Sequence, residues 1–323
     1  MTARAYSQDP DDELLHYRLS LRLGAVHARQ RLGIERDTEA RVFGRDHHSF
    51  HLENIYSAPG FIRTCLRLVG MLKRGQNNSR RLRTVDHQLR LPGLPPAFEG
   101  FRLLHLTDLH VDMDPENLQA VIDQITPLQY DLCVLTGDYR RLTWGPIEEA
   151  QAGMARLRKA IKGAPLAVLG NHDSIRMVPG LEDMGYRVLL NEHLRIERGN
   201  EYLYIAGVDD PHFYKVHNLQ RAADDIPADG TSILLSHSPE IWREAVHAGF
   251  DAFLCGHTHG GQICLPGGFP LTLDADCPRA LGRGHWQRGK MQGYTSPGAG
   301  TSVVNVRLNC PPEVTMHTLT RAG

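Results

Sequence analysis

From about residue 80 onward the chain repeats one pattern. A short apolar run is followed by a polar or glycine-punctuated loop and then by a stretch with helical spacing. The apolar runs Leu103–Leu106, Leu132–Leu135, Leu166–Leu169, Tyr202–Ala206, Ile233–Leu235 and Ala252–Leu254 each resemble a buried strand. Pro115–Ile125, Ile147–Ile161 and Glu240–His247 carry apolar residues at helical spacing between them. The alternation Val85, His87, Leu89, Leu91 predicts one more strand ahead of the turn-rich Pro92–Pro96. Strands alternating with helices predict an α/β layered sheet, and in such sheets ligands gather where strands end and loops meet.

Residues 1–79 read differently, as an Arg-rich, helical N-terminal extension of the 80–323 domain. At 100° per residue, Phe61–Arg74 forms a helix with Phe61, Ile62, Cys65, Leu66, Leu68, Val69 and Leu72 on one side and Arg63, Arg67 and Arg74 opposite. Between Arg63 and Arg90 eight basic residues face only Asp86, a density that favours an anionic membrane surface. The competing reading is an ordinary helix packed on the larger domain with its arginines in water.

A net charge of −1 removes whole-protein attraction to nucleic acid, and the basic run lacks interleaved aromatics, so no nucleic-acid partner is expected. Six cysteines without a CxxC pair argue against a zinc ribbon or a disulfide framework. No run of about 18 uncharged apolar residues occurs, and the N-terminus lacks the basic-then-apolar pattern of a secretory signal. The expectation is a cytoplasmic protein, or one peripheral on the inner face of the cell membrane.

Candidate chemistry sits where the predicted strands end. After Leu106 come Asp108 and His110; after the next strand, Gly137-Asp138; after the third, Gly170-Asn171-His172-Asp173. The strand Ile233–Leu235 runs into His237, and Phe253-Leu254 runs into Gly256-His257-Thr258-His259-Gly260-Gly261. A lone Asp after a strand is usually a cap, and a lone His is usually a surface or core residue. Five strand ends carrying such groups together point to metal. Imidazole, carboxylate and amide donors without thiolate suit Mn²⁺, with Fe²⁺ or Zn²⁺ as alternatives. One carboxylate shared by two ions would hold them about 3.5–4 Å apart, where both can grip a phosphoryl group and acidify a water.

The ordered series DxH, GD, GNHD, H and GHTHGG resembles the calcineurin-like metallophosphoesterase superfamily from about Arg80 to the C-terminus. The resemblance implies a four-layer α/β/β/α sandwich of two mixed sheets flanked by helices, and two divalent metal ions. It implies that Asp108, His110 and His259 hold one ion, that Asn171, His237 and His257 hold the other, and that Asp138 bridges both. His172 would contact the phosphate and protonate the leaving oxygen as the catalytic residue, with Asp173 either orienting it or capping its loop. The implied activity is hydrolysis of a phosphoester or pyrophosphate bond by metal-bound hydroxide.

Leu190-Asn191-Glu192, Ile205 to Pro211, and Ser296-Pro297-Gly298-Ala299-Gly300-Thr301-Ser302 followed by Arg307 resemble the membrane-associated YkuE-type branch. Some members of that branch act on UDP-2,3-diacylglucosamine in lipid A synthesis. The better-known diacylglucosamine diphosphatases have Arg where this chain has His172. The other readings are a general phosphodiesterase or nucleotide phosphatase, or a silent scaffold, which would be free to lose the ligand set that is intact here. Three further residues are candidates for substrate contact. Arg140 and Arg141 follow Asp138, where a guanidinium could fork onto phosphate, and His212, with Tyr214, could line the leaving-group side.

Overall fold

The computed structural model describes residues 10–43 and 57–321; the parts of the extension at 1–9 and 44–56 lie outside the described residues. Two six-stranded mixed sheets dominate. The first contains β1 (Arg83–Leu91), β2 (Arg102–Leu106), β3 (Leu132–Thr136), β4 (Leu166–Val168) and β5 (Arg187–Val188). The second contains β6 (Glu192–Arg198), β7 (Glu201–Gly207), β8 (Ser232–Leu235) and β9 (Ala252–Cys255). A small hairpin of β10 (Cys264–Leu265) and β11 (Phe269–Pro270) stands apart from both. Beyond it, β12 (Gly284–Arg288) and β13 (Met291–Thr295) join the second sheet, while β14 (Glu313–Arg321) returns to the first. There it lies parallel to β1 and antiparallel to β2.

Strand alternation explains the layers. Inward-facing Leu103, Val134, Leu166 and Val168 of one sheet meet Leu203, Ile205, Ile233, Leu235 and Leu254 of the other in a dry central core. Their sequence neighbours Leu104, Leu106, Cys133, Leu135 and Ala167 face outward against helices, which is why these strands read as continuous apolar runs. The covering helices are α1 (Pro10–Leu23), α2 (Ala25–Phe43), α5 (Pro115–Ile125), α6 (Glu148–Arg158) and α7 (Val178–Asp183), with α3 (Ser57–Leu68) and α4 (Leu72–Ser79) at the edge. On the second sheet, Val208, Leu234 and Phe253 pack under α8 (Leu219–Ala222) and α9 (Trp242–Ala248). The result is the expected α/β/β/α sandwich.

The described part of the extension is built into this body. Leu19 and Leu23 of α1 and Ala28 and Leu32 of α2 belong to the same buried cluster as Leu104 and Leu135. Arg22 donates to Glu182 and Glu192 and to the Val188 carbonyl, fastening α1 to the edge of the first sheet. The continuous helix expected over Phe61–Arg74 is corrected by the structure. It stops at Leu68, because Gly70 takes φ +69° and the amides of Gly70 and Met71 turn back to the carbonyls of Arg67 and Leu66. The apolar stripe divides in consequence. Ile62, Leu66 and Leu72 pack on Val304, Val306 and Leu308, whereas Phe61, Leu68 and Val69 are 68%, 82% and 67% exposed.

Candidate metal centre

The parallel strands β2, β3 and β4 of one sheet and β8 and β9 of the other end at the same side of the sandwich, and the loops that leave them meet across the seam. Backbone bonds lock these loops together. The amides of Asp108 and His110 bond to the carbonyls of Gly137 and Asp138, and the amide of Gly256 bonds to His237. The His257 amide donates to the Asp108 carboxylate at 3.0 Å, and the His172 amide donates to Asp138 Oδ1 at 2.9 Å.

The turns are tight enough to force unusual backbone. Asp108, His110, Asp138, His257 and His259 all have φ between +40° and +72°. Non-glycine residues adopt this region rarely, and its concentration here marks a site held in strain by its surroundings. Glycine supplies the clearance. A Cβ on Gly170 would lie 2.6 Å from the Asp138 nitrogen, and one on Gly298 would lie 2.6 Å from Asp108 Cβ.

The side chains converge in two groups that share one carboxylate: Asp108, His110, Asp138 and His259 in the first, Asp138, His237 and His257 in the second. Asn171 Oδ1 lies 2.9 Å from His237 Nε2 and so completes the second group. Ring orientation is fixed from behind. Nδ1 of His110 can only donate to the Arg140 carbonyl at 2.8 Å, and Nδ1 of His237 can only donate to the Thr136 carbonyl at 2.8 Å. In the neutral rings each Nε2 therefore carries a lone pair into the centre.

These nitrogens stand close to other potential ligand atoms. His110 Nε2 lies 3.2 Å from His259 Nε2, and His237 Nε2 lies 3.2 Å from His257 Nδ1 and 3.3 Å from Asp138 Oδ2. His259 Nε2 stands 3.4 Å from Asp108 Oδ1. Two donors held about 2.1 Å from one ion at roughly 100° to each other would stand about 3.2 Å apart, so the donor set fits two cations on either side of Asp138.

Electrostatics agree. Burial alone would raise the Asp138 carboxyl, but the His237, His172 and His110 rings together outweigh it and hold the group well below its ordinary range. Burial would lower His237, but Asp138, with Asp108 and Asp210 behind it, overrides that and pushes His237 up to about 10. Burial pushes His257 and His259 well below the usual imidazole range, which leaves both neutral, the form that ligates.

The remaining candidates fall around this centre. His172 is brought to it: Nε2 lies 3.9 Å from Asp138 Oδ2, its ring stands edge-on to His110, and Nδ1 is buried. Asp173 acts as the cap of the loop, accepting the amides of Asp138, Tyr139 and Gly170 at 2.8, 2.8 and 2.9 Å. Arg140 is buried, and its guanidinium is taken up by the carbonyls of His172, Thr143 and Gly145, which ties down the loop and leaves no fork for phosphate. Arg141 is exposed, with its amide on Asp112. His212 does reach the centre: its ring lies 4.1 Å from that of His257, and Nδ1 bonds Glu240 at 2.8 Å.

Sequence reasoning used Arg307 only as a mark of the branch and gave it no role in the site; it is fully buried and, among the described residues, has no carboxylate in salt-bridge contact. It donates to the carbonyls of His259, Pro297 and Gly300, so that one side chain shapes both the His259 turn and the glycine loop pressed on Asp108. The glycine-rich stretch at 296–301 was the visible sign that something must close tightly there.

A family model described as calcineurin-like phosphoesterase matches residues 101–261, the span from β2 through the His257 and His259 turn. The chain is 32% identical over 239 residues to the metallophosphoesterase YkoQ of Bacillus subtilis, covering 69% of this chain and 84% of that protein. It is 30% identical over 261 residues to YkuE of the same organism, covering 74% and 85%. Phosphodiesterase YaeI of Escherichia coli is 28% identical over 231 residues, covering 67% and 81%. The chain belongs to the calcineurin-like phosphoesterases, and it is a metal-dependent hydrolase of phosphoesters.

Proposed function

We propose that this hydrolase uses two divalent ions, with manganese the best match to the mixed nitrogen and oxygen donors, to cleave the phosphoester or pyrophosphate bond of an amphiphilic substrate at an anionic membrane surface. Asp108, His110 and His259 would hold one ion, Asn171, His237 and His257 the other, and Asp138 both. When bound, the ions would acidify water and polarise the phosphoryl oxygens. His172 faces Asp138 across the same space and is placed to hydrogen-bond a phosphoryl or leaving oxygen and to pass it a proton. His212, steadied by Glu240 beside His257, would bound the leaving-group side.

The observation that carries the choice of substrate is a single cavity of about 490 Å³. Its lining joins Asp138, Asn171, His172, His257 and His259 to the apolar Phe61, Ile62, Leu66, Leu271, Val303 and Val304. Such a space fits a phosphorylated headgroup with an apolar tail laid along α3. Exposed Phe61, Leu271 and Val303 at its mouth, with Arg63, Arg67 and Arg74 exposed on or just beyond α3, would seat it on anionic lipid. UDP-2,3-diacylglucosamine, a lipid A precursor, has this chemistry, and similarity to YkuE supports placement in that branch.

The test is turnover of UDP-2,3-diacylglucosamine in anionic vesicles against a small chromogenic phosphodiester in water. Charge reversal of Arg63, Arg67 and Arg74 to Glu is expected to release the protein from vesicles and slow only the lipid substrate. Equal loss on both substrates, or no vesicle binding by the native chain, would overturn the membrane reading in favour of a general phosphodiesterase.

A further inference from the structure

Helix α2 carries three buried ionisable residues, His27, Arg31 and Glu35, that meet a fourth, Asp209, beside the centre. Arg31 is fully buried; His27 and Glu35 are buried beside it, and Asp209 at the end of β7 is fully buried. Arg31 bonds Glu35 at 2.7 Å and Asp209 at 3.5 Å, and its guanidinium lies 3.0 Å from the centre of the Tyr214 ring. His27 bonds Asp209 at 2.8 Å. Apolar Leu32 and Ala28 already pack this helix on the core. Buried ion pairs are a weak means of adding stability, because desolvation offsets most of the attraction. What this network adds is aim.

Three consecutive residues of the loop that follows Asn171 and His172 are held from α2. Arg31 Nη2 donates to the Asp173 carbonyl at 2.8 Å, Glu35 accepts the Ser174 hydroxyl at 2.6 Å, and Glu35 accepts the Ile175 amide at 2.7 Å. Asp173 is also the residue whose carboxylate gathers the amides of Gly170, Asp138 and Tyr139. A grip on Asp173 is therefore a grip on the loop that carries His172 and on the turn that carries Asp138.

We infer that Arg31, with Glu35, is a positioning residue: the N-terminal hairpin is a splint that fixes the 170–175 loop, and through it His172, against the centre. This rests on the reading of His172 as the group that serves the leaving oxygen. The hairpin is thus part of the catalytic unit, and a chain shortened to begin at residue 80 would lose the alignment of that loop.

The test uses the full-length, metal-loaded protein with Arg31→Lys, which keeps the charge but not the fork, and Ser174→Ala, which removes one bond to Glu35 and leaves the core intact. Amide exchange of residues 170–176 is expected to quicken about ten- to a hundredfold in Arg31→Lys, the effect of one hydrogen bond to a charged group, and less in Ser174→Ala, with residues 232–235 unchanged. Metal content should stay at the native value. Turnover should fall about tenfold further for an alkyl phosphodiester than for a p-nitrophenyl one, because only the alkyl leaving group depends on a well-placed His172. Unchanged exchange in both variants would overturn the inference, as would equal loss on the two esters while His172→Ala, measured beside them, discriminates. If His172→Ala itself fails to discriminate, the role given to His172 is wrong, and the exchange data alone decide the splint.

Discussion

The pairing of Asp138 with His237 predicts how the centre takes up metal. With Asp138 at 3.3 Å, His237 is pushed up to about 10, three units above pH 7, so its ring holds a proton until an ion binds. An incoming ion must expel that proton, so at pH 7 its apparent affinity is reduced by a factor on the order of 10³ relative to the deprotonated site. Apparent affinity for the site formed with Asn171 and His257 should rise about tenfold per pH unit between pH 6 and 8, with close to one proton released per ion bound. Calorimetry of Mn²⁺ binding in two buffers of different ionisation enthalpy counts that proton. The pair also sets a pH window for the metal-free fold. His237 is raised from 6.5, so its contribution is complete below about pH 6.5 and is lost as pH climbs through about 10. Asp138 is lowered from 3.8, so its contribution is complete above that value and is lost on further acidification. Binding that releases no proton and does not change with pH would refute the reasoning.

Two substitutions separate the other roles. His172→Ala should keep both ions and lose about 10²–10⁴-fold in turnover, and metal loss in step with activity would make His172 a ligand instead. Gly256→Ala would drive a Cβ into the Asp108 carboxylate and to within 2.7 Å of Thr107 Cγ2. That strain should cost about 1–3 kcal/mol in thermal unfolding and weaken the ion on Asp108, His110 and His259 first; native stability and metal content would contradict the close approach.

Much of this was legible in the sequence, for a physical reason. Strands buried on both faces cannot hide their apolar runs, so β2, β3, β4, β8 and β9 were visible, and their ends carried the candidate ligands in order. Pro115–Ile125 was visible with its bounds because Asp114 caps it and Pro115 begins it. The partners of the final strand β14 were not, because pairing with β1 and β2 is set by contacts more than 200 residues apart. Arg140 looked like a phosphate fork because sequence shows charge but not the carbonyls of Thr143 and Gly145 that occupy it. Helix α2 was opaque for the opposite reason: Arg31 and Glu35 look like solvated surface, and only the fold brings Asp209 and the Asp173 carbonyl to them. The positive φ at Asp108, His110 and Asp138 leaves no mark in residue type at all.

The central claim is a centre of two ions bridged by Asp138, and the most direct measurement is elemental analysis of the purified, active protein beside Asp138→Ala. Two equivalents of divalent metal per chain are expected in the native protein, and loss of both metal and hydrolysis in the variant. One equivalent or none in fully active protein would contradict it.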